Sequence, residues 1–360
     1  MKKRLLISAN DFGSGTALYP VYEACLSHHN EIEVSCLISG PSQELFPQDR
    51  EGRIYHLPLP SEGLDSPDYL QKFQEELTKY TNILRPDVLL TGISGSYAGI
   101  DEVLLKVCKE KIPTFSFQDY WGYVNLNLGV HADHIFLLDS LALEVTATKI
   151  MAPTSIVGSP KYDYYVAKKR EEISQHLDTS SSPDYDLFIG QPLWHLPSYK
   201  QTLEIVIEAY EKTTRKLIYL LHPLEESFLI DSASKHGNIT ILEARPSCIE
   251  SLMMRAVKIL SCFSTCLFDA FLLKDLMKAK APQLASVMMF DELLEAHKKY
   301  SGGLEFFPLA NKGASNIETP LELERFIEDN IILQNDHILE QYGGASQKIL
   351  DQIMASLRKH

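Results

Sequence analysis

The chain has 360 residues, which is too long for one ordinary hydrophobic core and suits two domains of roughly 150 to 200 residues each. Its residues are 45% hydrophobic and 23% charged, a composition that excludes a disordered or fibrous protein. The formal net charge of −14 argues against a general nucleic-acid binder, because affinity for a phosphate backbone requires clustered Lys and Arg. A phosphate-bearing ligand would have to be bound locally.

The first apolar run is short and ends at Asn10 and Asp11. It is too short for the apolar region of a secretory leader and far below the roughly 20 residues that span a bilayer. We therefore expect a buried first strand and a cytoplasmic protein. The six cysteines form no Cys-x-x-Cys pair, which favours reduced thiols in the core and argues against a metal site.

Apolar runs alternate with helical patterns through the first half of the chain. Several runs are almost continuously apolar, as expected of strands buried on both faces. The alternation predicts parallel β/α/β units with right-handed crossovers. The predicted strands cover residues 4–9, 33–40, 53–59, 87–93, 113–119, 134–140 and 154–160, and the predicted helices cover residues 16–29, 67–84 and 99–111.

A charged segment rich in Ser and Pro, residues 168–186, is predicted to link the two domains. After it the same alternation starts again. The predicted strands there cover residues 187–193, 217–223, 239–244, 258–264 and 283–289, and the predicted helices cover residues 198–213, 225–236, 247–256, 266–279 and 290–299.

The predicted fold class is α/β, with two Rossmann-like domains facing each other across a cleft. The first domain covers residues 1–167 and the second covers residues 187–319. The last segment, residues 320–360, is rich in helix formers and can cross back over the first domain.

The first candidate site follows the first strand, because ligands of open parallel sheets bind beyond the carboxyl ends of the strands. Gly13 and Gly15 precede a helix expected to start near Thr16. Glycine lets the backbone approach a ligand closely, and the exposed N–H groups at the start of the helix favour an anion. Without a third glycine, this dinucleotide fingerprint is incomplete. Asp11 is a candidate base for an acceptor hydroxyl, and the alternative is that Asn10 and Asp11 only shape the turn and cap the helix.

Asp119 follows the fifth strand, next to Gln118 and the aromatic pair Tyr120 and Trp121. A carboxylate beside aromatic rings suits a sugar, because the ring face stacks on an aromatic while the hydroxyls bond to acids and amides. The alternative is that Trp121 anchors the surface between the domains.

The second domain offers donors for a phosphate. His222 ends a predicted strand and can donate to a phosphate oxygen, with Pro223 fixing the turn; the alternative is a histidine that caps its own loop. Ser264 and Thr265 begin a predicted helix, whose N–H groups can hold a diphosphate without a cation. Ser264 is equally well explained as an N-cap. Asp269 lies one turn further on, within reach of a ribose.

Together these motifs resemble the GT-B superfamily of nucleotide-sugar enzymes, which includes UDP-N-acetylglucosamine 2-epimerases and many bacterial glycosyltransferases. The resemblance covers nearly the whole chain. Its most specific combination is Val-Gly-Ser-Pro-Lys-Tyr-Asp at 157–163, followed by His-Pro at 222–223 and by Ser-Thr and Asp-Ala within 264–270. It implies that the helix after Thr265 holds the phosphates of the donor, and that Asp269 binds the ribose in place of the usual Glu.

The resemblance also separates two activities. It puts the Gly-Asp pair of the epimerases at Gly92 and Ile93, so that acid is absent, and their glutamate near Gln118 or Asp119. We therefore favour sugar transfer over epimerisation. Bacterial sialyltransferases of this architecture carry an acidic motif in the first domain, to which Asp11 is similar.

The sequence thus predicts a metal-independent glycosyltransferase that moves a sugar from a nucleotide-sugar donor to a glycan or other hydroxyl acceptor, as in surface polysaccharide synthesis. Asp11 or Asp119 would be the base, and His222, Ser264 and Thr265 would stabilise the leaving phosphate. The alternatives are a nucleotide-sugar hydrolase or epimerase, and a noncatalytic sugar-nucleotide binding protein. We expect no cofactor, metal or nucleic-acid partner, and leave peripheral membrane association and a homodimer open.

Overall fold

The computed structural model describes residues 2–47, 52–58, 67–95, 97–169, 185–222, 225, 237–243, 246–277, 281–310, 312–328 and 339–358. The chain divides into two compact units. One consists of Met1–Tyr164 with Gln341–His360, and the other of Tyr165–Glu340.

The first unit is built on a parallel sheet of seven strands, which are β1 (Lys3–Ala9), β2 (Ile32–Ile38), β3 (Ile54–His56), β4 (Val88–Thr91), β5 (Thr114–Phe117), β6 (His134–Leu137) and β7 (Thr154–Ile156). Their order in the sheet is β3-β2-β1-β4-β5-β6-β7. Every residue of β4 and β5 is buried. Continuous burial explains why these strands lack an apolar-polar alternation.

Helices α1 (Phe12–Ser27), α2 (Pro67–Leu84), α3 (Ile100–Cys108) and α4 (Ser140–Thr146) lie between these strands, and α5 (Pro160–Tyr164) follows the last of them. The bounds of α2 are those predicted from its apolar spacing. The two short helices α4 and α5 were not predicted, because each is too short to display a helical period.

The second unit is built on a parallel sheet of six strands, which are β8 (Tyr185–Ile189), β9 (Leu217–Leu221), β10 (Ile239–Glu243), β11 (Ala256–Ser261), β12 (Gln283–Val287) and β13 (Ala314–Ile317). Their order is β10-β9-β8-β11-β12-β13. Its helices are α6 (Pro197–Glu211), α7 (Pro246–Arg255), α8 (Thr265–Met277), α9 (Asp291–Ser301) and α10 (Pro320–Glu328). The predicted α/β class with two parallel-sheet domains is confirmed.

The predicted linker runs two residues too far, since β8 begins at Tyr185. Asp186 looked like part of a polar linker, but its side chain is fully buried and accepts hydrogen bonds from Arg215 Nε at 2.7 Å and Arg215 Nη2 at 2.6 Å. Tyr210 donates a third at 3.0 Å. A charged residue can thus lie at the start of a buried strand when later segments of the chain supply its hydrogen-bond partners. Residues 170–184 of the predicted linker and residues 226–236 of the predicted helix lie outside the described residues.

The C-terminal helix α11 (Ala345–Leu357) belongs to the first unit, which confirms the expected crossing back. The Val-Gly-Ser-Pro-Lys-Tyr-Asp motif receives it. Gly158 has φ +95°, and a Cβ there would lie 2.6 Å from the carbonyl oxygen of Tyr342. Asp163 accepts hydrogen bonds from the amides of Gly344 at 2.6 Å and Ser346 at 2.8 Å. Gly158 and Asp163 of this motif therefore contact the C-terminal segment that leads into α11.

Candidate functional site

Each sheet has one point where the strand order reverses: β1 beside β4 in the first unit, and β8 beside β11 in the second. Loops that leave the carboxyl ends of such a pair diverge, and the crevice between them is where open α/β sheets bind ligands. Asp11 follows β1 and Ser264 follows β11, so both lie at a reversal point.

The backbone of Asp11 is fixed at the N-terminus of α1. Its carbonyl oxygen accepts hydrogen bonds from Gly15 N at 2.9 Å, Ser14 Oγ at 2.9 Å and Ser42 Oγ at 2.6 Å. Asp11 is the N-cap residue of α1, yet its side chain makes no capping hydrogen bond. The carboxylate is therefore available for another role.

The Asp11 carboxylate faces the loop that follows β4. Its Oδ1 accepts hydrogen bonds from Asn10 Nδ2 at 2.6 Å and Tyr97 OH at 3.2 Å. A Cβ at Gly95 would lie 2.7 Å from Oδ2, so a side chain at this position would collide with the carboxylate. Burial raises the pKa of Asp11, against the opposing effect of hydrogen bonds from Asn10, Tyr97 and Gly95. A carboxylate of raised pKa in a fixed orientation suits a general base.

The loop after β4 is held from a second side by two residues that sequence reasoning missed. Asn125 Nδ2 lies 3.2 Å from the carbonyl oxygen of Ser94, 3.0 Å from that of Gly95 and 2.8 Å from that of Tyr97. Tyr123 OH also bonds to the Ser94 and Gly95 carbonyls. Contacts between separate loops leave no signal in one sequence, so these two residues could not have been found.

Two buried acids under this loop were also missed. Asp101 accepts hydrogen bonds from Ser8 Oγ at 2.6 Å and Ser94 Oγ at 3.1 Å. Glu102 accepts them from Ser94 N at 3.1 Å and Gly99 N at 2.8 Å. Desolvation by burial raises the pKa of both carboxyls. The spacing of Glu102 three residues after a helix-start glycine resembles a capping box and could have indicated its role.

The predicted start of α1 near Thr16 is wrong, because the helix begins at Phe12 and contains both glycines. A Cβ at Gly13 would lie 2.5 Å from Asp119 Oδ2, so the Asp119 carboxylate packs against the first turn of α1. Gly15 is buried, and a Cβ there would lie 2.5 Å from Ser42 Oγ. The structure thus brings Gly13 and Asp119 together at the edge that also carries Asp11, whereas Gly15 packs against Ser42.

The aromatic pair after β5 offers no face for a sugar. Tyr120 and Trp121 are fully buried, and Trp121 Nε1 donates to the carboxylate of Asp139 at 2.9 Å. Tyr342 OH donates to the same carboxylate at 2.9 Å. The prediction of sugar stacking is therefore wrong, since the indole is a core residue of the first unit rather than a surface anchor. Burial of one aromatic residue cannot be read from its neighbours in sequence.

The resemblance puts the epimerase acids at Ile93 and near Gln118 or Asp119, and the structure describes the surroundings of Ile93 and Gln118 as follows. Gln118 is fully buried, with Nε2 donating to Tyr123 O at 3.0 Å and Thr146 Oγ1 at 2.9 Å. Ile93 is a buried apolar residue. Neither position supplies a carboxylate.

In the second unit, Ser264 is the N-cap residue of α8. Its Oγ accepts a hydrogen bond from Cys266 N at 3.1 Å, and its carbonyl oxygen accepts one from Leu267 N at 3.1 Å. Two of the first three backbone amides of α8, those of Cys266 and Leu267, thus already donate hydrogen bonds to Ser264. Fewer N–H groups of this helix can therefore bind a phosphate than the sequence predicts. Thr265 and Asp269 are half-buried and lie four residues apart, on one face of the helix.

Hydrogen bonds join the carboxyl ends of β8 and β11 and the residues that follow them. Gln191 Oε1 accepts a hydrogen bond from Phe263 N at 2.9 Å. Ser261 Oγ lies 2.6 Å from the carbonyl oxygen of Ile189 and 3.3 Å from Gln191 Oε1. The Ser261 hydroxyl therefore joins the ends of β11 and β8, and the hydroxyls at the start of α8 are those of Ser264 and Thr265.

His222 follows β9 and is half-buried. Burial lowers the pKa of its imidazole, so the ring is neutral near pH 7. The turn after it is closed by Glu225, whose amide donates to His222 O at 2.8 Å and whose Oε2 accepts from His222 N at 3.1 Å. Glu225, also bonded to Tyr219 OH, was missed by sequence reasoning. Pro223 lies outside the described residues.

Among the side chains that the structure describes, no three His, Cys, Asp or Glu residues come together as a metal site would require. No described helix is long and apolar enough to cross a bilayer.

Two parallel α/β sheets of this order match the GT-B fold of nucleotide-sugar enzymes. The fold is similar to that of UDP-GlcNAc 2-epimerase from Neisseria meningitidis bound to UDP-GlcNAc, with 14% identity, a TM-score of 0.70, and 98% of this chain and 100% of that chain covered. A UDP-GlcNAc 2-epimerase from Methanocaldococcus jannaschii in complex with UDP-GlcNAc and UDP has 15% identity and a TM-score of 0.66, covering 98% and 99%.

A UDP-glycosyltransferase from Medicago truncatula complexed with UDP-glucose shares the fold with 11% identity, a TM-score of 0.56, and coverage of 99% of this chain and 98% of that chain. No protein-family model and no curated protein sequence matches the chain. At such identities the likeness shows the GT-B fold.

Proposed function

We propose that this protein is a metal-independent glycosyltransferase that moves a sugar from a nucleotide-sugar donor to a hydroxyl of a glycan or another acceptor. The observation that carries the proposal is the Asp11 carboxylate at the reversal point of the first sheet. It has a raised pKa, a fixed backbone and a hydrogen bond from the side-chain amide of Asn10. A base for an acceptor hydroxyl needs this combination of orientation and proton affinity.

In this proposal the second unit binds the donor. The hydroxyls of Ser264 and Thr265 and the N-terminus of α8 would contact the diphosphate, and the helix dipole favours its negative charge. His222 would donate a hydrogen bond from a neutral ring, together with the turn at Pro223. Asp269, one turn into α8, would bind the ribose diol.

A nucleotide-sugar epimerase is the second candidate, because two solved structures that share the fold are UDP-GlcNAc 2-epimerases. The surroundings of Ile93 and Gln118 speak against it. The resemblance puts one epimerase acid at Ile93, where an apolar side chain offers no proton acceptor. It puts the other near Gln118, a buried amide, or near Asp119, which is a carboxylate. Asp11 and Asp119 remain as the carboxylates of this edge.

The first experiment is a thermal-shift screen with UDP, GDP, CDP and CMP. A nucleotide present at about 100 times its Kd should stabilise the protein by roughly 2.7 kcal/mol. A flat response to all four nucleotides would contradict a function, catalytic or noncatalytic, that uses a sugar carried on any of these four.

Product analysis then separates the candidates. A transferase releases nucleotide only when an acceptor hydroxyl is present, whereas a hydrolase releases free sugar without one. An epimerase converts the sugar while the nucleotide sugar stays intact, and a binding protein changes nothing. Asp11→Asn serves as the inactive control, because it keeps the shape of the side chain and removes the basic oxygen.

A further inference from the structure

The geometry points to Tyr97 as a placeholder for the acceptor: its phenol hydroxyl occupies the position on Asp11 that the acceptor hydroxyl takes, and the acceptor binds by displacing it. This inference rests on the proposed function, in which Asp11 is the base. It specifies how the acceptor site is kept closed and which chemical group opens it.

The hydrogen bonds of the Tyr97 hydroxyl are those that a reacting hydroxyl requires. It donates to Asp11 Oδ1 at 3.2 Å and accepts from Asn10 Nδ2 at 2.9 Å. An acceptor hydroxyl poised for deprotonation must likewise donate its proton to the base. In the resting protein the Tyr97 phenol therefore makes the hydrogen bond to Asp11 that an acceptor hydroxyl would make, and it does not itself react.

Asn10 is held so that its two donor hydrogens keep their direction. Its side chain is fully buried, and Ser39 Oγ donates to Asn10 Oδ1 at 2.7 Å. Because the amide oxygen is engaged, Nδ2 must face Asp11 and Tyr97. When the phenol leaves, a donor and an acceptor remain in place for the incoming group.

The Tyr97 side chain can leave while its backbone stays. Its carbonyl oxygen accepts a hydrogen bond from Asn125 Nδ2 at 2.8 Å, which holds the loop after β4 in place. Tyr97 is 36% exposed, so its side chain borders solvent and can rotate toward it. Displacement is a rotamer change rather than a loop rearrangement.

The site that Tyr97 vacates selects a neutral hydroxyl. It offers one acceptor, Asp11 Oδ1, and one donor, Asn10 Nδ2. An ammonium group has no lone pair for the Asn10 donor, and a carboxylate has no proton for Asp11 and is repelled by its charge. In the transfer step, the hydroxyl proton moves to Asp11, the hydroxyl oxygen bonds to the anomeric carbon, and the bond from that carbon to the diphosphate oxygen breaks with its electrons on the diphosphate.

The test compares Tyr97→Phe with Tyr80→Phe, a control that removes a phenol from α2 of the same unit. In Tyr97→Phe the KM for the acceptor should fall about fivefold, the factor that one net hydrogen bond supplies, with kcat unchanged. In Tyr80→Phe both should stay at the wild-type value. A fall in kcat, or an acceptor KM that stays constant or rises, would overturn the placeholder role, because it would mean that the phenol takes part in binding or chemistry.

A second measurement needs no turnover. Carboxyl NMR should show that Tyr97→Phe raises the pKa of Asp11, because the carboxylate loses a donor; an unchanged pKa would mean that the contact is absent in solution and would overturn the inference. If the wild type turns over no nucleotide sugar, the proposed function fails and the placeholder with it, even where the pKa responds. A mass increase of one sugar on Tyr97 during turnover would make it an acceptor itself and would also refute the inference.

Discussion

Asp101 and Glu102 stand side by side in the first turn of α3, and both carboxyl groups are buried beneath the loop that presents Tyr97 and Gly95 to Asp11. The two carboxyl groups accept hydrogen bonds from Ser8 Oγ on β1, from the side chain and amide of Ser94, and from the amide of Gly99. Among the described residues, the hydrogen-bond partners of the two acids are hydroxyls and backbone amides rather than cations, so desolvation dominates and raises the pKa of Asp101 to about 7 and that of Glu102 to about 8.

The first prediction concerns the pH dependence of stability. Both groups hold protons in the folded state at pH values where they are ionised in the unfolded chain, whose acids titrate near about 4. The folded state therefore binds more protons, and the free energy of unfolding should fall as the pH rises from about 4 to about 8. Urea unfolding at several pH values measures this slope.

The double variant Asp101→Asn with Glu102→Gln should flatten that slope. Glu208→Gln, which changes an exposed carboxyl on α6, is the control and should leave the slope at its wild-type value. A slope that is unaffected by the double variant would mean that the pair ionises normally in the folded state.

The second prediction concerns the base. Asp11→Asn should lower kcat by about 100-fold to 10,000-fold while leaving the nucleotide Kd unchanged, because the removed group acts on the acceptor proton. Asp119→Asn should have a smaller effect, since its carboxylate packs against Gly13 at the start of α1. Steady-state kinetics together with nucleotide titration separate the two.

The wild-type pH profile offers a further check on Asp11. Since its pKa is raised by burial, the acid limb of kcat/KM should have a midpoint above 3.8, the ordinary value for Asp. Activity should increase with pH across that limb, because the ionised form is the base. If Asp11→Asn retains turnover, then either Asp119 is the general base or the reaction uses neither carboxylate as a base.

The third prediction tests whether Ser264 does more than cap a helix. Ser264→Ala should lower the free energy of unfolding by about 0.5 to 2 kcal/mol, because Cys266 N loses its acceptor. If Ser264 also donates to the diphosphate, the Kd for the stabilising nucleotide should rise as well. Thr319→Ala is a matched control, since Thr319 Oγ1 accepts from Glu322 N at the start of α10. Equal nucleotide affinity in both variants would leave Ser264 with the capping role alone.

The fourth prediction concerns the buried charge at the start of β8. Arg215→Met leaves the fully buried Asp186 carboxylate with a single side-chain donor among the described residues, Tyr210 OH, and should cost roughly 1 to 3 kcal/mol of stability. Lys212→Met breaks an exposed pair with Glu324 and should change stability by less than about 0.5 kcal/mol. Chemical denaturation of both variants provides the comparison, and a similar small effect in each would show that Asp186 is satisfied without Arg215.

Sequence periodicity predicted the sheets because strands such as β4 and β5 are apolar on both faces, and it predicted α2 because Pro67 and the Arg-Pro pair at 85–86 bracket its apolar period. It missed β13, whose four residues include Ser and Asn. It also placed the start of α1 too late, because the glycines there are tolerated in the first turn of the helix.

The site was predictable where position along a strand decides it and unpredictable where loops converge. Asp11 follows from its place after β1. The contact of Tyr97 with Asp11 spans 86 residues and depends on β1 and β4 being neighbours, which no local pattern encodes. Trp121 was misassigned for the same reason, because its partner Asp139 comes from the segment after β6.

The last prediction concerns His222 and the charge of the nucleotide. Burial lowers the pKa of the imidazole, so the ring is neutral near pH 7 and can only donate a hydrogen bond to a phosphate. Bound phosphate favours the protonated ring, so the nucleotide Kd should decrease as the pH falls from 7.5 to roughly 5.5. Isothermal titration of the wild type against His222→Asn measures the difference. The variant should bind more weakly and lose most of this pH dependence, apart from the protonation of the nucleotide itself, and equal pH profiles would remove His222 from the donor site.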